Sequence, residues 1–145
     1  MNYVGTTINE SPTIAGITGA AIDNGAGKAV KYDANGKLIL CAVAGEASIG
    51  VLLLDTPSAL ASGAECTVQI KEIGTVVAGA AFKKGDPLTV TAAAKVIVAT
   101  DATISVAGAV GTIANKNFII GFATSNAGAD GDFAQMQITK SGYKI

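Results

Sequence analysis

At 145 residues and 14.3 kDa, with 27 Ala and 18 Gly, the chain is built largely from small side chains. It holds no His, Trp or Arg, and its ten lysines face eleven carboxylates for a formal net charge of −1. These numbers exclude imidazole bases, Ser-His-Asp and Cys-His machinery, His-ligated metals, guanidinium forks and the basic face that nucleic-acid binding needs. They also exclude disorder, because a half-apolar chain with 14% charged residues collapses around a core.

The start, Met1 to Thr7, has neither a basic n-region nor an apolar h-region, so no signal peptide is expected and the chain is expected to be made in the cytoplasm. Without such a signal, the Asn9-Glu10-Ser11 acceptor pattern carries no weight. Residues 1–22 lack period-two alternation and contain Ser11-Pro12 and three glycines. They read as an extended arm bearing spaced apolar residues at Tyr3, Val4, Ile8, Ile14, Ile17 and Ile22. Such an arm can add a strand to the edge of a neighbouring sheet; alternatively it completes this protein's own barrel.

From Lys28 onward period two dominates. Lys28–Tyr32 and Lys37–Cys41 read as a hairpin across Asp33-Ala34-Asn35-Gly36, since Asn-Gly tolerates the positive φ a tight turn needs. Ile49–Leu54 is a continuous apolar strand that ends at the Asp55-Thr56-Pro57-Ser58 turn. In Glu65–Glu72, Cys66, Val68 and Ile70 share one face, and Cys41 and Cys66 read as buried free thiols. Pro87–Thr91 and Lys95–Thr100 form a second hairpin around Ala92–Ala94, followed by strands at Phe118–Ala123 and Phe133–Thr139. Met136 and Ile138 point inward on the last strand, Gln135 and Gln137 outward. Thr56–Ala61 and Ala102–Ala109 are Ala-rich and allow one or two helical turns at most. The longest charge-free apolar stretch, about Ala102–Ala114, is shorter than the roughly 18 residues of a membrane span.

The order hairpin, Gly-containing strand, Gly turn and alternating strand ending in Gln-Ile occurs twice, around Gly50 and around Gly121. The expected fold is therefore all-β: a small β-barrel or sandwich of two similar β-units at residues 23–145, with residues 1–22 as an extended N-terminal arm.

Candidate chemical motifs reduce to turns. Gly25-Ala26-Gly27-Lys28 lacks the first Gly and the Ser or Thr of a phosphate-binding loop and precedes a strand. Asp130 and Asp132, with Asp86 and Asp101 elsewhere, supply too few oxygens in sequence for a Ca²⁺ loop. Ser62 and Ser125 have no Ser-x-x-Lys spacing. The few aromatics are too scattered for a sugar-stacking platform. No catalysis, cofactor, metal or small-molecule substrate is expected.

The run Lys28-Ala-Val-Lys-Tyr-Asp-Ala-Asn-Gly-Lys-Leu, then Gly45-Glu46 and Ile49-Gly50-Val51-Leu52-Leu53, resembles the capsid cement, or head decoration, proteins of tailed bacteriophages. Lys84-Gly85-Asp86-Pro87-Leu88-Thr89-Val90, Ile119-Ile120-Gly121-Phe122-Ala123 and the Gln-Ile-Thr-Lys-Ser-Gly-Tyr ending are similar to the same family. The resemblance spans roughly residues 25–145. It implies a compact β-fold, often a homotrimer, that binds the major capsid protein on the outer surface of the virion and stabilises the assembled capsid. Nucleic acid and membrane are not expected partners. The arm residues Tyr3, Val4, Ile8, Ile14 and Ile17 are the candidate capsid contacts. A carbohydrate-binding or adhesive β-module of a virion fibre is the alternative.

Overall fold

The computed structural model describes residues 11–101, 103–107, 110–114 and 117–144, and among them there is strand and no helix. The strands are β1 (Thr13–Ile17), β2 (Ile22–Asp23), β3 (Ala29–Tyr32), β4 (Leu38–Leu40), β5 (Gly50–Leu52), β6 (Ala59–Leu60) and β7 (Glu65–Gln69). They continue as β8 (Glu72–Val77), β9 (Pro87–Val90), β10 (Val96–Val98), β11 (Thr103–Ala107), β12 (Val110–Ala114), β13 (Asn117–Ala123) and β14 (Phe133–Lys144). One five-stranded antiparallel sheet runs β1-β7-β5-β3-β4 and the other β8-β14-β13-β9-β10. Two-stranded pairs β2–β6 and β11–β12 complete the set.

The two large sheets are copies of one plan. A parallel bridge joins Thr18 to Leu38 in the first unit and Ala78 to Val96 in the second. Gly19 N donates to Leu38 O at 2.8 Å, and Gly79 N to Val96 O at 2.7 Å. Gly63 N donates to Thr18 O at 2.9 Å, and Gly131 N to Ala78 O at 2.8 Å. The β2–β6 pair reappears as the single bridge between Phe82 and Ala127. Even the hairpin turns match: Asp33 Oδ1 accepts from the amides of Asn35 and Lys37, while Thr91 Oγ1 accepts from Ala93 and Lys95. A short side-chain acceptor holds the turn in both units, as Asx and Ser/Thr turns do.

Two cores follow from this plan. Ile22, Val30, Leu38, Leu52, Leu60, Cys66 and Val68 fill the first. The second gathers Phe82, Leu88, Val90, Val96, Ala123 and Met136, and it also takes Ala29, Cys41 and Val51 from the first unit. Along β3 and β5, then, alternate side chains serve different cores, because a strand's period is two. Each fully buried Val or Leu there contributes about 1.5–3 kcal/mol. That double burial explains why Gly50–Leu52 is apolar on both faces, as strands covered on both sides are; Leu54, beyond β5, is exposed.

The expected two similar β-units are present, and the architecture is a pair of open sheets; no barrel closes among the described residues. The repeat also starts earlier than the sequence pattern placed it. Thr13–Ile17, within the segment read as an arm, is β1; it pairs with β7 as β8 pairs with β14. The Ala-rich stretches are not helical where described: Ala59–Leu60 is β6 and Thr103–Ala107 is β11.

Candidate interaction surface

Of the five arm residues singled out in the sequence, Tyr3, Val4 and Ile8 lie outside the described residues. Ile14 sits opposite Val68 and packs, half-buried, against the first core. Ile17, at the end of β1, is 40% exposed. The odd spacing puts these two on opposite faces of the strand.

The turn carboxylates are engaged in local structure. Asp132 Oδ2 accepts from the amides of Gly128 and Ala129, and Asp86 Oδ2 accepts from Lys83 N. Asp130 pairs with Lys95 Nζ at 2.8 Å. Among the described residues, no three or more His, Cys, Asp or Glu gather as metal ligands would. Gly25–Lys28 is a turn leading into β3.

The most perturbed polar cluster is Lys31, Glu46 and Cys41. Burial pushes the Cys41 thiol up to about 12, and the Glu46 charge adds to it against the Ser48 hydrogen bond and Lys31. Burial would also raise the Glu46 carboxyl, yet the Lys31 hydrogen bond and the amides of Val43 and Ala42 outweigh it and hold it below its ordinary value. The bond to Glu46 raises Lys31 above its ordinary value against a smaller effect of burial. Lys31 Nζ on β3 and the amides of Ala42 and Val43 all donate to the Glu46 carboxylate, so this cluster pins the Ala42–Glu46 loop to β3.

Apolar surface is exposed elsewhere. Phe122 pairs with Gln137, and Gln137 with Ile73, so the three share one face of the second sheet. Phe133, four residues before Gln137 on β14, shares that face. Ile73, Phe122 and Phe133 are 53%, 36% and 59% exposed. The outward phase of Gln135 and Gln137 already contained Phe133, which is the sequence signal for this surface.

Two clefts lie at the loops of the two units. One, of about 440 Å³, lies at the junction of the units between the loops at Asn24–Lys28 and Thr56–Ser58 and the side chains of Val77, Lys95 and Phe133. The other, of about 360 Å³, is formed by Phe82, Lys83, Asp86 and Asn126 at the corresponding loops of the second unit.

Fold and surface together define the class: an all-β protein of two tandem, similarly wired units that presents exposed apolar patches among its described residues. The chain is similar in fold to the N base of the head fibre protein gp8.5 of bacteriophage phi29, as seen in its crystal structure. The two share 16% sequence identity with a TM-score of 0.59, over 92% of this chain and 98% of that one. No protein-family model matches the chain, and no curated protein matches it in sequence.

Proposed function

We propose that the protein is a structural component of a tailed-phage virion that binds the outer surface of the assembled capsid and stabilises it, as a homotrimer bound to the major capsid protein. The observation that carries this reading is the fold shared, over nearly the whole of both chains, with a phage head fibre base. The resemblance of the strand and turn motifs to capsid cement proteins points the same way. A nearly neutral protein without histidine suits a permanent contact, since no imidazole charges between pH 5 and 8. Many weak copies on a symmetric shell add up, because each contact is repeated. The test uses capsids stripped of the protein. Adding back purified protein raises the temperature at which they rupture; rupture at an unchanged temperature ends the cement reading.

A second reading is favoured by what the neighbour is called: a module of a virion fibre that binds carbohydrate or adheres to a surface. It predicts retention on immobilised host glycans and no effect on capsid rupture.

A further inference from the structure

The two units meet in one polarity. The first unit contributes Gly27, Ala29, Cys41 and Val51, and the second contributes Val77, Val90 and Ala94. Main-chain bonds seal the contact: Ala29 N to Ala94 O at 2.8 Å, Gly45 N to Val90 O at 2.9 Å and Val77 N to Gly27 O at 3.1 Å. Ala29, Val51, Val90 and Ala94 are fully buried by it and by the second core.

Because the units share one wiring, each half of this contact has a counterpart among the described residues. Aligned strand registers place Pro87 and Phe122 of the second unit where Ala29 and Val51 stand in the first. Ile17, Tyr32 and Gly36 of the first unit stand where Val77, Val90 and Ala94 stand in the second. The internal positions are buried, but Phe122 is 36% exposed, Ile17 40% and Tyr32 46%. The junction cleft repeats this pattern. Its first-unit loops have their counterpart in the open cleft lined by Lys83, Asp86 and Asn126. Its second-unit wall of Val77, Lys95, Gly131 and Phe133 corresponds to Ile17, Lys37, Gly63 and Glu65. Lys37 and Glu65 are thus complementary in charge to Asp86 and Lys83.

We infer that a second copy of this chain docks head to tail, its Ile17–Tyr32–Glu65 side against the Lys83–Pro87–Phe122 side of the first, in the manner of the internal junction. Such a contact is heterologous, so it closes into a ring, a trimer included, or runs on as an open chain. Pro87 has no amide to stand in for Ala29 N, so the contact between copies lacks one main-chain bond and is weaker than the internal one. The contact requires no capsid.

Sedimentation of the purified full chain shows concentration-dependent association. Glu65→Lys and Lys83→Glu each weaken it several-fold, and the double variant regains it. Circular dichroism confirms that these exposed positions leave the fold intact. Polarity is read by cross-linking with a short bismaleimide, since Cys41 and Cys66 are buried. Ile17→Cys mixed with Lys84→Cys gives a linked dimer, and neither variant alone does. A strictly monomeric chain, an oligomer indifferent to both charge reversals, or self-linking of either single variant would overturn the proposal. Loss of capsid binding with association intact would instead count against the cement function alone.

Discussion

Two glycines show how closely the strands are fitted. A Cβ on Gly50 would lie 2.1 Å from Gln69 O, and one on Gly121 2.3 Å from Gln137 O. Both neighbours are backbone, which cannot swing aside. Gly50→Ala and Gly121→Ala are expected to cost about 1–3 kcal/mol or more each, read as a lower urea midpoint. Gly36→Ala isolates a different effect, because nothing lies within 4 Å and only the φ of 73° opposes a side chain. It should cost about 1–2 kcal/mol. The Lys31–Glu46 pair sets a pH window. Glu46 is depressed when folded, so its contribution is present above the unfolded value of 4.5 and is lost as pH falls through the folded value. Lys31 is raised when folded, so its contribution is present below 10.5 and is lost as pH rises through the folded value. Glu46→Gln should lower the melting temperature at neutral pH, by the equivalent of about 1 kcal/mol for a partly buried pair, and the gap to the parent should close under acid. A constant gap across the acid range would show that the carboxylate charge is not what stabilises the loop.

Among elements, β1 tests what the N-terminal segment is for. Its five residues pair with β7 and cover Val68 and Cys66 at the edge of the first core. Deleting residues 2–17 is expected to abolish cooperative unfolding, whereas an independent arm would leave the melt unchanged. The hairpin of β3 and β4 was legible because Asp33 and Gly36 supply an acceptor and a positive φ where the turn needs them. The inward phases of β7 and β14 were legible because each strand buries only one face. Other elements carry weaker signals. Gly16 interrupts the alternation of β1, yet it is required there, since a Cβ would lie 2.4 Å from Leu38 Cδ1. The passage from β7 to β8 has no Gly, Pro or Asn; the chain turns at Glu72, with φ of 67°. β2 and β6 are two residues each, too short for any period to register. The early start of the repeat was written in Ile17-Thr-Gly-Ala-Ala-Ile22 against Val77-Ala-Gly-Ala-Ala-Phe82, sixty residues apart. The apolar outer face was half legible: Phe133 shares the phase of Gln135 and Gln137, but the pairing that brings Phe122 and Ile73 beside it spans three strands.

At the scale of the whole molecule, the sharing of Ala29, Cys41 and Val51 governs how the protein comes apart. Were each core closed by its own unit alone, heating would melt two bodies at two temperatures. Here the second core is sealed by side chains that the first unit holds in place, so opening the first exposes the second. Calorimetry should record one peak, with calorimetric and van't Hoff enthalpies equal. Val51→Ala removes a buried contact at the seam and should lower that peak by the equivalent of about 1–3 kcal/mol. A larger lesion there, Val51→Asp, is expected to split the trace in two, the second unit melting first because it has lost its lid while the first retains its own core. A duplicated chain thereby behaves as a single thermodynamic body, and damage anywhere in the first unit is felt in both.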